Sequence, residues 1–341
     1  QSIVVSRHGI RTPYPPTNGT VTDFSSYTYK QFPDNNTWGM SYDAFADQYL
    51  TPHGEAILPL VGAYYKDILA DGGLDLSSCE NVVCFSDEST RDIQTANHWL
   101  GGFGCPDVEV REVTSSSYSS MQPVLSDHYF FEACPLATEE QVNGLYGGNV
   151  DALTDMYSDE IELVNEILDM QTYDASICKN INPDFDGAQK CTLFETGYEY
   201  TGLYYQGMFT SPFYYAQYFA ETWMLQYLSN LTEWGFGMLS LAQLTDLNIM
   251  HVESLSFGAN YWNSLSFSSQ QLAYIVASID QLVSGTALEA FSQAMDTQLL
   301  LLVSHDMNIL YLRQLLGINW VPFGYSDGIA TTAGALVFDV W

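Results

Sequence analysis

Two guanidinium groups flank one imidazole in Arg7-His8-Gly9-Ile10-Arg11, and Pro13 closes the run. Guanidinium forks match phosphate oxygens two at a time. A neutral imidazole nitrogen can attack phosphorus and carry the phosphoryl group. The chemistry open to this trio is anion binding with nucleophilic transfer. Arg-His-Gly alone is more often a strand end with a structural histidine, so the elements that position it matter. Ile3-Val4-Val5 is a β-branched run that reads as a buried strand. In open α/β sheets, ligands bind beyond the carboxyl ends of such strands. Gly9 is expected to make the turn off the strand, and Pro13 to prevent its continuation.

The same arrangement recurs twice. Val82-Val83-Cys84-Phe85 reads as a strand, Ser86 to Thr90 end it, and a helix bearing Arg91 runs to about Leu100. A helix N-terminus favours anions through its free N–H groups and dipole. The competing reading has Arg91 bracing Asp87, Glu88 or Asp92 on the surface. Leu299 to Val303 is apolar on both faces, as a central parallel strand should be. It ends in Ser304-His305-Asp306-Met307-Asn308, and a helix follows to Leu316 with Gly317 as its stop.

Between these junctions, 14–50 reads as a long surface loop. Thr51-Pro52 opens a helix toward Ala70 that contains Pro59, an expected kink. Asp151 to Asp169 reads as one acidic amphipathic helix, Tyr214 to Leu228 as an aromatic-rich core helix, and Ser268 to Val283 as another helix. These elements predict an α/β fold: a mostly parallel central sheet flanked by helices, with an inserted smaller, mainly helical domain. The expected boundaries are 1–133 with 259–341 for the α/β domain and 134–258 for the insertion.

Arg-His-Gly-x-Arg-x-Pro resembles the signature of the histidine phosphatase superfamily, in its acid phosphatase and phytase branch. Five fixed positions arise by chance in such a chain about once in ten thousand. Asp87-Glu88-Ser89-Thr90-Arg91 resembles the context of that family's third phosphate-binding arginine. Leu50-Thr51-Pro52-His53-Gly54 resembles its first helix entry, and His305-Asp306 its second signature. The mutases of the superfamily fit less well, lacking the x-Arg-x-Pro extension. The resemblance is strong at 3–13, 50–58, 82–91 and 299–320, and weak in the insertion. It implies His8 as nucleophile, Arg7, Arg11, Arg91 and His305 as phosphate-binding groups, and Asp306 as proton donor. It also implies a Cys79–Cys105 disulfide around the Arg91 segment. The branch's sheet usually runs on past the Gly334–Phe338 strand, so either a trimmed C-terminus or an absent edge strand is expected here, leaving Cys134 without its usual partner.

Composition bounds the partners. With 341 residues and 47% hydrophobic content the chain can bury a sizeable core. Its net charge is −32, with nine Lys and Arg against 41 Asp and Glu, which argues against nucleic acid and anionic membranes. Arg7, Arg11 and Arg91 would concentrate a third of those nine cations in one site. No aliphatic run is long enough to span a membrane. Six cysteines and sequons at Asn18, Asn35 and Asn230 favour an oxidising, secreted or extracytoplasmic setting with glycosylation. The short Cys178–Cys191 separation suggests a hairpin-closing disulfide, and Cys84 reads as a buried thiol. His53, His98, His128 and His251 read as structural. Asn182 to Gly187 has the outline of a calcium loop, but Leu193 would hold the position that needs a bidentate Glu. No metal and no cofactor are expected.

The reading that follows is a metal-independent acid phosphatase acting on small-molecule phosphate monoesters through a phosphohistidine, working in acid. A phytase of the same family ranks second. It ranks lower because Tyr14-Pro15-Pro16 follows the first motif and no lysine appears before Lys30. A non-catalytic phosphate-binding secreted glycoprotein ranks third, since binding alone would need the arginines but not both His8 and Asp306.

Overall fold

The computed structural model describes residues 1–14, 27–74, 78–113, 135–145, 147, 149, 151–170, 191–202, 209–288, 293–321 and 328–340. Its contacts divide the chain into two units. One comprises Gln1–Arg11, Tyr49–Pro135 and Tyr261–Trp341, and the other Thr12–Gln48 and Leu136–Asn260.

The first unit is built on a five-stranded sheet. Its strands are β1 (Ser2–Arg7), β2 (Val82–Asp87), β3 (Val110–Val113), β4 (Leu299–Ser304) and β5 (Ala335–Asp339). The order is β3-β2-β4-β1-β5. All neighbours are parallel except β5, which runs antiparallel to β1. The apolar run of β4 is central and fully buried, as a strand covered on both faces must be. Its register matters most for function. Arg7 lies opposite Ser304, and Ser86 opposite Val303. The polar residues that end β1, β2 and β4 therefore emerge side by side.

Helices cover both faces. Cys84, Leu299, Leu301 and Val303 face a core shared with Trp99, Leu100 and Phe103 of α2 (Thr90–Phe103) and Leu69 of α1 (Pro52–Asp71). Phe85 points the other way and meets Tyr274 of α3 (Tyr261–Ser284), whose Phe267 stacks on Tyr311 of α4 (Asp306–Leu316). Thr51 caps α1 by accepting the Gly54 N–H at 3.2 Å. The backbones of α1 and α2 touch: a Cβ at Gly62 would overlap the Trp99 carbonyl oxygen, and one at Gly102 the Pro59 carbonyl oxygen. The Cys79–Cys105 disulfide implied by the resemblance is formed.

The second unit is mainly helical, with helices Glu139–Leu145, Ala152–Met156, Ser158–Leu168, Pro212–Leu228 and Leu241–Gly258, and a small ladder of Glu199–Tyr200 with Phe209–Thr210. Two expectations change here. The helix expected over 151–169 is two, broken at Tyr157, whose φ of −107° and ψ of 26° are not helical. The ring of Tyr157 packs on Phe213 at 5.3 Å. The described part of the expected surface loop, 27–48, groups with this unit rather than with the α/β unit. Tyr27 is buried against Phe219, Phe32 packs on Phe236, and Trp38 is only 4% exposed, while Tyr29 and Tyr42 face solvent. Thr28 and Lys30 donate to the carbonyls of Leu168 and Ile167, closing the end of helix Ser158–Leu168.

Cys84 is a buried free thiol whose pKa burial pushes far up. Cys191 is disulfide-bonded; its expected partner Cys178 lies outside the described residues, as do Cys134, Asn18, His128 and the 182–187 segment. Asn35 donates its side-chain amide to the Met40 carbonyl, and Asn230 is exposed with a left-handed backbone (φ 62°). Among the described residues, no helix is long and apolar enough to cross a membrane.

Candidate active site

Every candidate site residue comes from one of three strand ends. Arg7 is the last residue of β1, and His8 to Arg11 follow it. Arg91 is in the first turn of α2. His305 caps α4, and Asp306 is its first residue. The His8 N–H donates to the Ser304 carbonyl at 2.8 Å, continuing the strand register into the motif. The Ala333 N–H donates to the His8 carbonyl at 3.0 Å, so the backbone of His8 is held from both sides.

The φ of Gly9 is not positive, so the turn expected of it does not rest on a left-handed backbone. It is needed for space. A Cβ there would lie 2.9 Å from Leu58 Cδ1 and 3.2 Å from Leu50 Cδ2. The Gly9 N–H donates to Thr95 Oγ1 at 2.9 Å, and the Thr95 hydroxyl donates to the Arg91 carbonyl at 2.7 Å. One threonine of α2 thus ties the first motif to Arg91.

His8 Nδ1 lies 2.7 Å from the Gly9 carbonyl oxygen. A carbonyl only accepts, so Nδ1 carries the hydrogen and Nε2 keeps its lone pair. Burial holds the pKa of His8 well below its ordinary value, and Arg91, Arg7, His305 and Arg11 push the same way. The imidazole is neutral and surrounded by cations.

Across from it, the His305 ring centroid is 5.5 Å away, edge to face. His305 Nε2 pairs with Asp87 at 2.6 Å, and Nδ1 lies 3.7 Å from Asp92. Burial opposes its charge, but Asp92 and Asp87 outweigh that and raise its pKa to about 9. The pKa of Asp92 is raised by burial to about 7, against the pull of His305. Asp87 goes the other way: burial raises its pKa, but His305 and the Ser89 N–H at 2.8 Å bring it below the ordinary carboxylate range.

Arg7 Nη2 pairs with Asp306 at 2.7 Å, and its Nη1 donates to the Ala330 carbonyl at 2.7 Å. Asp306 also accepts the Met307 N–H at 2.7 Å. The Nε atoms of Arg7 and Arg91 are buried and make no hydrogen bond within the protein. A buried unpaired donor costs roughly 1–3 kcal/mol, which an anion between these groups would recover.

Asp87, Asp92 and His305 have donor atoms within 4.8 Å of one another, a spacing that suits a cation. The fit is poor, because a protonated His305 has no lone pair on either nitrogen and its own charge already offsets the carboxylates. The sequence reading treats Asp87 and Asp92 only as surface braces for Arg91, whereas both are buried beside His305. Their proximity to Arg91 was the available signal; burial was not legible. Of the histidines read as structural, His251 bonds Gln217 at 3.0 Å in the helical unit.

No family model matches the chain. Over 365 aligned residues it is 21% identical to phytase AppA of Escherichia coli (strain K12), covering 99% of this chain and 76% of that protein. Its fold is that of Hafnia alvei phytase in complex with tartrate, with a TM-score of 0.75, 19% identity, and coverage of 99% of this chain and 80% of that one. The phytase of Citrobacter braakii matches with a TM-score of 0.71 and 19% identity, over 100% of this chain and 81% of its own. The sheet and the similarity along almost the whole chain agree, and the chain shares the fold of these phytases.

Proposed function

We propose that the protein is a metal-independent acid phosphatase that hydrolyses phosphate monoesters through a phosphohistidine. The observation that carries this reading is His8: its Nδ1–H is spent on the Gly9 carbonyl, its Nε2 lone pair is free, and burial, helped by the cations around it, keeps it unprotonated. In the first step Nε2 attacks phosphorus in line, the bond from phosphorus to the ester oxygen breaks, and Asp306 gives that oxygen a proton. In the second step water attacks phosphohistidine, Asp306 takes a proton back, and inorganic phosphate leaves. Arg7, Arg11, Arg91 and His305 hold the three equatorial oxygens and offset their charge. Substrate would draw Arg7 Nη2 away from Asp306, freeing that carboxyl for proton transfer.

The test is p-nitrophenyl phosphate hydrolysis at pH 4.5 in EDTA, comparing wild type with His8→Ala and Asp306→Asn. Turnover in wild type that His8→Ala abolishes supports the reading. Turnover that survives His8→Ala means another nucleophile, and an inactive wild type moves the protein to a phosphate-binding role.

A phytase reading is favoured by the relatives, which are phytases, one of them seen with myo-inositol hexakis sulphate. Nine cations in the whole chain, three of them in this site, argue for a less charged substrate. Comparing phytate with a sugar phosphate decides between them, and strong preference for phytate reverses the order. The disulfide and the sequons support a secreted or extracytoplasmic glycoprotein.

A further inference from the structure

His305 faces charged groups on every side. Asp87 reaches it from the end of β2, Arg91 and Asp92 from the first turn of α2, His8 from the loop after β1, and Asp306 follows it on α4. Asp92 is the unusual member. It is 0% exposed, and neither carboxylate oxygen makes a hydrogen bond. Its cationic neighbours are His305 Nδ1 at 3.7 Å and Arg91 Nε at 3.8 Å, and the Asp87 carboxylate lies within 4.8 Å and opposes its charge. A carboxylate buried this way is costly unless its charge is used. Asparagine would have the same shape without the charge.

We propose that Asp92 is a positioning residue that works through His305: together with Asp87 it holds the imidazole in its protonated form, so that phosphate meets a fourth cation beside the three arginines. Asp87 supplies the anchoring ion pair at one ring nitrogen, and Asp92 supplies charge at the other above its own pKa of about 7. The inference rests on the phosphate-binding reading above. The cause is electrostatic: Asp92 is the largest of the influences that favour the charged imidazole, with Asp87 next, and Arg91 opposes them. Without Asp92, His305 loses its proton at lower pH, and anion affinity falls where wild type still holds it.

The experiment follows two readouts in EDTA. One is the His305 titration in 15N-histidine-labelled protein by NMR, assigned by its absence in His305→Gln. The other is the affinity for inorganic phosphate by calorimetry from pH 5 to 9.5. In wild type His305 is expected to titrate near 9. In Asp92→Asn its midpoint drops by a pH unit or more, phosphate binds as in wild type at pH 5.5, and it binds more weakly by about threefold or more at pH 8.5. Asp92→Glu restores most of the difference. A wild-type His305 that titrates below 7 overturns the proposal without any variant. So does an unchanged midpoint in Asp92→Asn, or an equal loss of affinity at every pH, which would mark a purely structural role. If wild type binds no phosphate, the phosphatase reading falls, while the NMR midpoints still decide the role of Asp92.

Discussion

Thr95 does more for the site than its type suggests. It accepts the Gly9 N–H and donates to the Arg91 carbonyl, joining the His8 loop to the helix that carries Arg91. Thr95→Val keeps the shape and strands the buried Gly9 N–H, at a cost of roughly 1–3 kcal/mol. Urea denaturation should show that loss, kcat/KM for p-nitrophenyl phosphate should fall at least tenfold, and Thr95→Ser should recover most of both. Unchanged kinetics in Thr95→Val would mean the tie is structural only. His8 sets the acid behaviour at the same scale. Because its pKa is depressed, it stays neutral well below pH 6.5 and could serve there as the proposed nucleophile. The proton-donor role proposed for Asp306 is lost as that carboxyl deprotonates, so turnover is expected to peak in acid and to decline above it. A rate that climbs steadily from pH 4 to pH 8 would contradict this.

At the scale of elements, the strand register assembles the chemistry. Arg7 opposite Ser304 and Ser86 opposite Val303 bring three polar ends into one row. The helices that follow then point their N-termini at that row, which suits an anion. The contact between α1 and α2 fixes where the N-terminus of α2, and so Arg91, can sit. Two adjacent glycines of α2 separate packing from propensity. Gly102 lies against the Pro59 carbonyl, so Gly102→Ala forces the helices apart and should cost more than about 2 kcal/mol. Gly101 has open space, so Gly101→Ala should stabilise by up to about 1 kcal/mol. Thermal melts of the two variants moving in opposite directions would confirm the close approach; a shared direction would refute it.

For the whole molecule, charge and cross-linking set stability. At −32 the chain repels itself, and protonating carboxylates relieves this. His305, with its pKa raised to about 9, contributes stability that is complete below 6.5 and lost as pH rises through 9. Asp92, raised to about 7, favours the folded state increasingly as pH falls from 7 toward 4. His8 acts oppositely below 6.5, because the unfolded histidine takes a proton that the folded one refuses. The balance places the highest Tm near pH 5 rather than pH 8, a comparison that differential scanning calorimetry makes directly. The Cys79–Cys105 bond closes 26 residues of chain around β2 and α2. Losing it through Cys79→Ser with Cys105→Ser should cost about 3 kcal/mol, read by denaturant midpoint.

The three polar strand ends, two of them opening directly into a helix, were legible in the sequence with the residues they carry, because β-branched runs, capping residues and a helix period are local signals. The sequence by itself also determined that cations would be scarce and that β4 would be central, since only a strand covered on both faces can be apolar throughout. The burial of Asp87 and Asp92 was decided by tertiary structure, because a carboxylate at a helix start looks the same in sequence whether it faces water or His305. The need for Gly9 came from Leu58 and Leu50, far along the chain, and not from its own backbone. The membership of 27–48 in the helical unit came from aromatic packing between distant segments, which has no period to read. Local propensity announces where chemistry sits; only packing decides which charges face one another, and at what distance.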